Sequence, residues 1–289
     1  MIPPPFDYVV PSDVAEAVRL LDQNQEAKIL AGGQSLIPMM RFRLASPTLL
    51  IDINHINDLE YIREDGGWLK IGALTRETTL DHSDLIRNRY PLLADTTRMV
   101  ADPLVRNLAT LGGNLSHADP ANDHPATMLA YGAQVIAEGP AGKRTISIVD
   151  FFVGPFESSL HHNELLTEIQ IPAYQPGSSG AYAKLERKVG DFATAAVAVQ
   201  IHLGADGVCT QAGIGLTNLS LTPIKATAAE QSLVGQPLTD ANIKRAAQLA
   251  AEVAEPQADQ RGSEEYKRSL VRTLTTRALR TALTRLNGG

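Results

Sequence analysis

Ala31-Gly32-Gly33-Gln34-Ser35-Leu36 is the segment from which the rest of the chain can be read. Lys28–Leu30 leads into it and reads as a short strand. A helix is expected to start near Ser35. Pro38 fits that helix, because a first turn needs no proline N–H. Thr48–Ile53 reads as a second strand. Upstream, Ser12 is the expected cap of a helix with Val14, Ala17, Val18 and Leu21 at helical spacing. A strand, a glycine turn, a helix and a strand thus occupy residues 1–57.

A second segment echoes the first: Leu111-Gly112-Gly113-Asn114-Leu115-Ser116. Each has a diglycine, a side-chain amide and a nearby serine. Glycine lets a backbone approach a ligand closely and adopt positive φ. Consecutive N–H groups then make an anion nest, and a following helix adds its N-terminal N–H groups. Two such loops suit a pyrophosphate. Either Gly-Gly alone reads more simply as a tight turn; the pair, with matching amides, favours a ligand. The nicotinamide form of this idea is weak. Asp52 follows Gly33 by 19 residues and ends a strand, but the loop is GGQSLI rather than G-x-G-x-x-G. Gly213-Ile214-Gly215 does not supply the motif either, because its last glycine position is Asn218. Asp52 reads as a structural acid at a strand end.

Leu69–Leu74 reads as a strand, followed by helical stretches at Leu80–Arg87 and Leu92–Val100 that Asp102-Pro103 breaks. A long loop over Thr110–Asp123 precedes a helix near Ala126–Tyr131. Strands follow at Gln134–Glu138, Thr145–Ile148 and Leu165–Ile171. Pro172–Gly180 is the expected linker. Beyond it, Ala181–Arg187, Ala195–Leu203 and Val208–Leu216 read as three strands, with a hairpin turn at Gly204–Gly207. Helices are expected over Pro223–Leu233, Ala241–Ala254 and Glu264–Leu286, with Thr239 and Ser263 as caps.

Ser116–His124 packs two His and two Asp into nine residues. His and carboxylate ligands suit several divalent ions. The spacing is not that of one helix face, and a polar loop that binds hydroxyls is the preferred reading. Ser116, His117 and Asp119 are too close in sequence for a nucleophilic triad. Tyr182 and Lys184 alternate onto one face of a strand. They are either a surface pair or a stacking and donating pair for a planar, electron-rich ring. His161-His162 reads as solvent loop, and Met39-Met40 and Phe151-Phe152 as core.

The composition bounds the function. With 289 residues, the length suggests two domains or three small ones. Net charge is −6, so there is no electrostatic footprint for nucleic acid. Met1–Pro5 has no basic region and no apolar core and does not read as a signal peptide. No apolar run approaches the ~20 residues of a membrane span. Cys209 is the single cysteine, read as a strand residue without a redox role. One cysteine excludes a disulfide framework and an iron–sulfur cluster held by this chain alone.

These motifs resemble the FAD-binding medium subunit of molybdenum hydroxylases, the medium subunits of carbon monoxide dehydrogenases above all. FAD domains of xanthine dehydrogenases are more distant. The resemblance runs over nearly the whole chain. Its carriers are MIPPPFDYVVPSDVAEAV, AGGQSLIPMMRFRLASPTLLIDI, ADPLVRNLATLGGNLSHADPANDHPA, ELLTEIQIP, AYAKLERKVGDFATAAVAV and GIGLTNLSLTP. It implies an α+β fold. A small βαβ-type N-terminal unit (1–57) and a larger mixed-sheet unit (58–175) would make up the FAD-binding region. A C-terminal domain (176–289) would follow, with a three-stranded antiparallel sheet and a helix bundle.

The resemblance further implies that Ala31, Gly32, Gly33, Gln34, Ser35 and Leu36 wrap the FAD pyrophosphate. Thr110, Gly112, Gly113 and Asn114 would supply the second phosphate-side loop. His117, Asp119 and Asp123 would lie along the ribityl and ribose region, and Leu166 near the adenine. Tyr182 and Lys184 would stand by the isoalloxazine. Position 34 in the family is often His or another polar residue; Gln34 keeps hydrogen bonding without a titratable ring. No catalytic residue and no metal ligand is expected. The implied activity is electron relay. Clusters of the [2Fe–2S] type on a small partner subunit would feed FAD, and a large molybdopterin-binding subunit would oxidise the substrate. A dimer of heterotrimers and a cytoplasmic setting, with peripheral contact to the inner membrane through the acceptor, complete the picture. The alternative is a stand-alone FAD-dependent oxidoreductase of the same superfamily. Against it, the sequence shows no strong acid/base pair beside Tyr182 and Lys184. A cofactor-free assembly subunit is disfavoured by two intact diglycine loops.

Overall fold

Three main sheets, each with its own apolar core, follow one another along the chain in the computed structural model, which describes residues 2–288; a two-stranded ribbon and a smaller apolar seam complete it. Met1 of the opening segment and Gly289 of the expected C-terminal domain lie outside the described residues.

The N-terminal unit runs β1 (Asp7–Val9), α1 (Val14–Gln23), β2 (Ala27–Leu30), α2 (Leu36–Arg41) and β3 (Leu49–Asp52). Its strands are parallel in the order β1-β3-β2. Ala17, Val18 and Leu21 of α1 pack on Ile51 and Ile53. The cap of α1 is Asp13 rather than Ser12: its side chain accepts from the Glu16 N–H at 2.8 Å. The Glu16 carboxylate in turn accepts from the Ser12 N–H, so the two neighbours share the capping that the sequence assigns to one.

The middle unit adds β4 (Ile62–Asp65), β5 (Trp68–Gly72), α3 (Glu77–His82), α4 (Asp84–Arg89), α5 (Pro91–Met99), α6 (Pro103–Arg106), α7 (Leu111–His117) and α8 (His124–Tyr131). It continues with β6 (Gln134–Gly139), β7 (Gly142–Ser147), β8 (Phe152–Gly154), β9 (Glu157–Ser158) and β10 (Leu165–Pro172). Its five-stranded sheet, β4-β5-β10-β6-β7, is antiparallel throughout, not mixed as expected. The expected loop at Thr110–Asp123 is half helix. The Thr110 side chain accepts from the Gly113 N–H at 3.1 Å and caps α7. That capping offsets the ~1 kcal/mol a glycine costs inside a helix, and two adjacent glycines concealed it.

The C-terminal unit carries β11 (Ser178–Leu185), β12 (Ala195–Leu203), β13 (Cys209–Thr217), β14 (Ile224–Lys225), α9 (Thr227–Leu233), α10 (Asp240–Glu252) and α11 (Glu264–Leu286). Its antiparallel sheet has four strands rather than three. The fourth, β14, has two residues, too few to show alternation. Thr239 and Ser263 cap α10 and α11 as expected. The irregular part of the expected linker is shorter than the sequence suggests, because β11 begins at Ser178.

Strand β12 shows why this unit sits against the middle one. Ala195, Val197, Val199 and Ile201 face the core shared with α10 and α11. Ala196 and Ala198 face the other way, with Tyr182, onto Leu92, Ala126 and Ala130. Gly213 and Gly215 of β13 pair with Gln200 and Ala198 on that second face. A Cβ on Gly215 would lie 1.9 Å from the Ala126 carbonyl oxygen, and one on Gly213 1.8 Å from that of Ala130. The Gly-Ile-Gly stretch is therefore a seat for the backbone of α8 and not a nucleotide motif. Gly215→Ala is expected to overpack this seam and destabilise by about 1–3 kcal/mol or more. Urea unfolding measures it, and an unchanged midpoint would refute the seat.

Candidate functional site

A cleft of about 780 Å³ opens where the three units meet. That volume suits one cofactor-sized ligand. The first loop forms one wall. Gly33 has φ +70°, the left-handed turn that lets the chain leave β2 and enter α2. The amides of Gly32, Gly33, Gln34 and Ser35 donate to no protein acceptor among the described residues. Four successive unengaged N–H groups are the anion nest that the sequence suggests.

The second loop differs. Leu111 N–H donates to Thr75, Gly112 N–H to Ala73, Gly113 N–H to the Thr110 hydroxyl and Asn114 N–H to Thr110. Its backbone donors are spent inside the protein, so it is not a second nest. Gly112 is there for close approach: a Cβ would fall 2.6 Å from Ala73. What this loop offers the cleft is the Asn114 side chain. Its Oδ1 is buried and has no hydrogen-bond partner. Asn122 fixes the neighbouring backbone by donating to the Asn114 carbonyl at 2.9 Å.

Of the residues singled out from sequence, Ala31–Leu36, Thr110, Gly112, Gly113, Asn114, His117, Asp123 and Leu166 line the cleft. Asp119 does not: it accepts from the Ala121 N–H and shapes the turn at 119–122. The His117 ring leans on Phe156 at 5.3 Å between centroids. Burial lowers its pKa, against the opposing pull of Asp119, which favours the uncharged ring. No group of three or more metal-ligating side chains exists among the described residues.

Tyr182 and Lys184 are not at the cleft wall. The Tyr182 ring packs in the alanine seam, and its hydroxyl donates to Asp123 Oδ1 at 2.6 Å. Lys184 Nζ donates to Asp123 Oδ2 and to the Met99 carbonyl, both at 3.0 Å, and lies 3.3 Å from Glu186. The structure thus gives the pair a buried role behind Asp123 in place of the expected stacking. Burial pushes the Asp123 carboxyl up, while Lys184 and the Tyr182 hydroxyl pull it down.

Sequence reasoning missed several cleft residues. His161 and His162 are exposed loop residues, as expected, but that loop runs along the cleft edge, and His162 pairs with Gln25 at 2.9 Å. Gly190, Asp191 and Phe192 bring the C-terminal unit to the cleft. Asp191 is tied to Arg261 at 2.9 Å and to Arg187 at 3.1 Å. The Arg261 hydrogen bond leads in holding its carboxyl at about 2. The approach of these residues to the cleft depends on partners distant in sequence, Gln25 for His162 and Arg261 for Asp191, which no local pattern displays.

An apolar cleft with an anion nest at one wall and buried polar groups at another defines a dinucleotide-binding protein, and comparison with known proteins makes this specific. Residues 4–174 match the family described as FAD binding domain in molybdopterin dehydrogenase, and residues 180–282 match the CO dehydrogenase flavoprotein C-terminal domain. The chain is 43% identical to the carbon monoxide dehydrogenase medium chain of Hydrogenophaga pseudoflava, covering 99% of each. It is 36% identical to the glyceraldehyde dehydrogenase medium chain of Sulfolobus acidocaldarius, covering 97% of this chain and 99% of that one. A solved structure of the Hydrogenophaga pseudoflava carbon monoxide dehydrogenase superposes with TM-score 0.96 at 45% identity, over 99% of each chain. The chain belongs to the FAD-binding medium-chain family of molybdenum hydroxylases and is an FAD-containing oxidoreductase subunit.

Two outcomes follow from the charges. Lys184→Met leaves Asp123 buried without its cation and is expected to cost about 3–5 kcal/mol. Adding Asp123→Asn should recover much of that in urea unfolding; a double variant as unstable as the single one would contradict the pairing. Asp191 is depressed in the fold, so its contribution is complete above the ordinary 3.8 and is lost as pH falls toward about 2. Wild type should therefore lose more stability than Asp191→Asn over that interval, and parallel curves would count against the tie.

Proposed function

We propose that this chain is the electron-relay subunit of a molybdenum hydroxylase complex. The carrying observation is the unengaged nest at Gly32–Ser35, which lines the same cleft as Asn114, whose Oδ1 has no protein partner. FAD fits these groups. The nest N–H groups would donate to the pyrophosphate; Asn114 would donate beside it through Nδ2, and its Oδ1 would accept from an adjoining hydroxyl. His117, as a neutral ring, and Asp123, held in place by Tyr182 and Lys184, would orient the ribityl and ribose hydroxyls. Leu166 would pack near the adenine. Asp119, Tyr182 and Lys184 would act through the groups they hold. When bound, FAD supplies the link between single-electron transfer from [2Fe–2S] clusters and two-electron transfer to an acceptor such as a quinone, NAD or dioxygen.

The relay reading also rests on what this chain contains. Its one cysteine, Cys209, is buried in β13, and no metal-binding group exists among the described residues. In the relay reading, any iron–sulfur cluster that feeds the flavin would therefore be held by another chain. A small [2Fe–2S] subunit and a large molybdopterin-binding subunit would be the partners, assembled as a dimer of heterotrimers. Among the described residues no helix is long and apolar enough to cross a membrane. A cytoplasmic complex, in peripheral contact with the inner membrane through its acceptor, is part of the proposal. In this assignment residues 1–57 and 58–175 are the two FAD-binding subdomains, and residues 176–289 are the C-terminal domain.

The test is to purify the chain with its companions from the native host, release the flavin by denaturation and count subunits and metals. FAD with molybdenum, iron and two further chains is the expected result. FAD with neither metals nor partners would replace this reading with the stand-alone oxidoreductase. No flavin would overturn the nest.

A further inference from the structure

Arg76 is bonded to the backs of both loops. It precedes α3 and forms an isolated antiparallel bridge with Thr110, the cap of α7. One arm of its guanidinium, Nη2, donates to Asn54 Oδ1 at 2.6 Å. Asn54 Nδ2 passes that restraint on, donating to the Ala31 carbonyl at 2.8 Å and to Asp52 Oδ1 at 2.6 Å. Ala31 is the first residue of the nest loop. The other arm, Nη1, donates to the Leu108 carbonyl. That same oxygen lies 2.3 Å from where a Cβ on Gly32 would stand, so it is the surface on which the nest loop rests.

Asp52 anchors the far end of this chain of bonds. Burial alone would raise its carboxyl. The Tyr8 hydroxyl and the backbone and side chain of Asn54 outweigh burial and hold it below the ordinary value. Arg76 itself makes no ion pair among the described residues, so its charge is not cancelled by a carboxylate contact behind an anion site.

We infer that Arg76 is a positioning residue for FAD. Its two arms fix the separation of the nest loop from the segment leading into Thr110–Asn114. The inference rests on the assignment of these loops to the pyrophosphate. A dinucleotide held from both sides needs that separation set before it binds, and a rigid fork sets it with one side chain. Lysine keeps the charge but is a flexible point donor, unable to hold two acceptors in one fixed geometry. Arg76→Lys therefore separates fork from charge.

The experiment uses the chain as it purifies, with any companion subunits attached, stripped of flavin and titrated with FAD. Arg76→Lys is expected to bind FAD about tenfold more weakly or worse, the scale of one lost hydrogen bond from a charged group. The melting midpoint of its flavin-free form should match wild type. Wild-type affinity in Arg76→Lys would overturn the inference, because charge alone would then suffice. A flavin-free midpoint that falls in step with affinity would also overturn it, since the role would then be general stability. Asn114→Leu serves as the control on the site. If Asn114→Leu binds weakly and Arg76→Lys binds normally, only the positioning role fails. If both bind normally, the assignment of the loops to FAD fails as well.

Discussion

Backbone rests directly on backbone where the middle unit meets each of its neighbours, and again inside the middle unit beside the cleft. Gly32 meets the Leu108 carbonyl, Gly112 meets Ala73, and Gly213 and Gly215 meet the carbonyls of α8. A side chain at any of these points would push a wall of the cleft outward by the width of a methyl group. Packed interiors transmit such shifts rather than absorb them. The separation between the nest loop and the Thr110–Asn114 segment therefore depends on the backbone contacts of Gly32 and Gly112.

The charges near the cleft obey a related economy. Asp123 is buried, so its carboxylate is tolerable only with Lys184 and Tyr182 beside it. Both partners sit on β11, in the unit that α8 joins to the middle sheet through its backbone. The acid at the cleft wall thus comes from one unit and its compensating groups from another. Docking of the C-terminal unit and charge balance of the site are one event. At Asp191, by contrast, acid and partner belong to one unit: it depends on Arg261, a residue that precedes α11.

The comparisons sharpen where substrate choice resides. Chains named for carbon monoxide and for glyceraldehyde share this fold across their full length with this one. A subunit kept whole across relatives with different named substrates supplies what they have in common. Holding FAD is such a common element, and a cleft built chiefly from backbone contacts suits a role that does not vary with substrate.

The two diglycine loops show what a sequence can and cannot display. Their resemblance to each other is real, and both line one cleft. Sequence shows spacing and residue type, and from these the βαβ unit, the three long C-terminal helices and the dinucleotide cleft are legible. It does not show where a backbone donor is spent. The first loop keeps its amides unengaged; the second spends them on Thr75, Ala73 and Thr110 and becomes a helix. That difference is set by the approach of β5 and the segment after it, 40 residues away in the chain. Tyr182 and Lys184 make the same point. Alternation puts both on one face, but which neighbour covers that face is decided by α8 and Asp123. Arg76 has no motif at all. Its importance lies in reaching two carbonyl- or amide-bearing segments that the sequence holds 54 positions apart, at Asn54 and Leu108. Local pattern reveals what a segment is able to do; only the fold decides which of two matching segments is left free to do it.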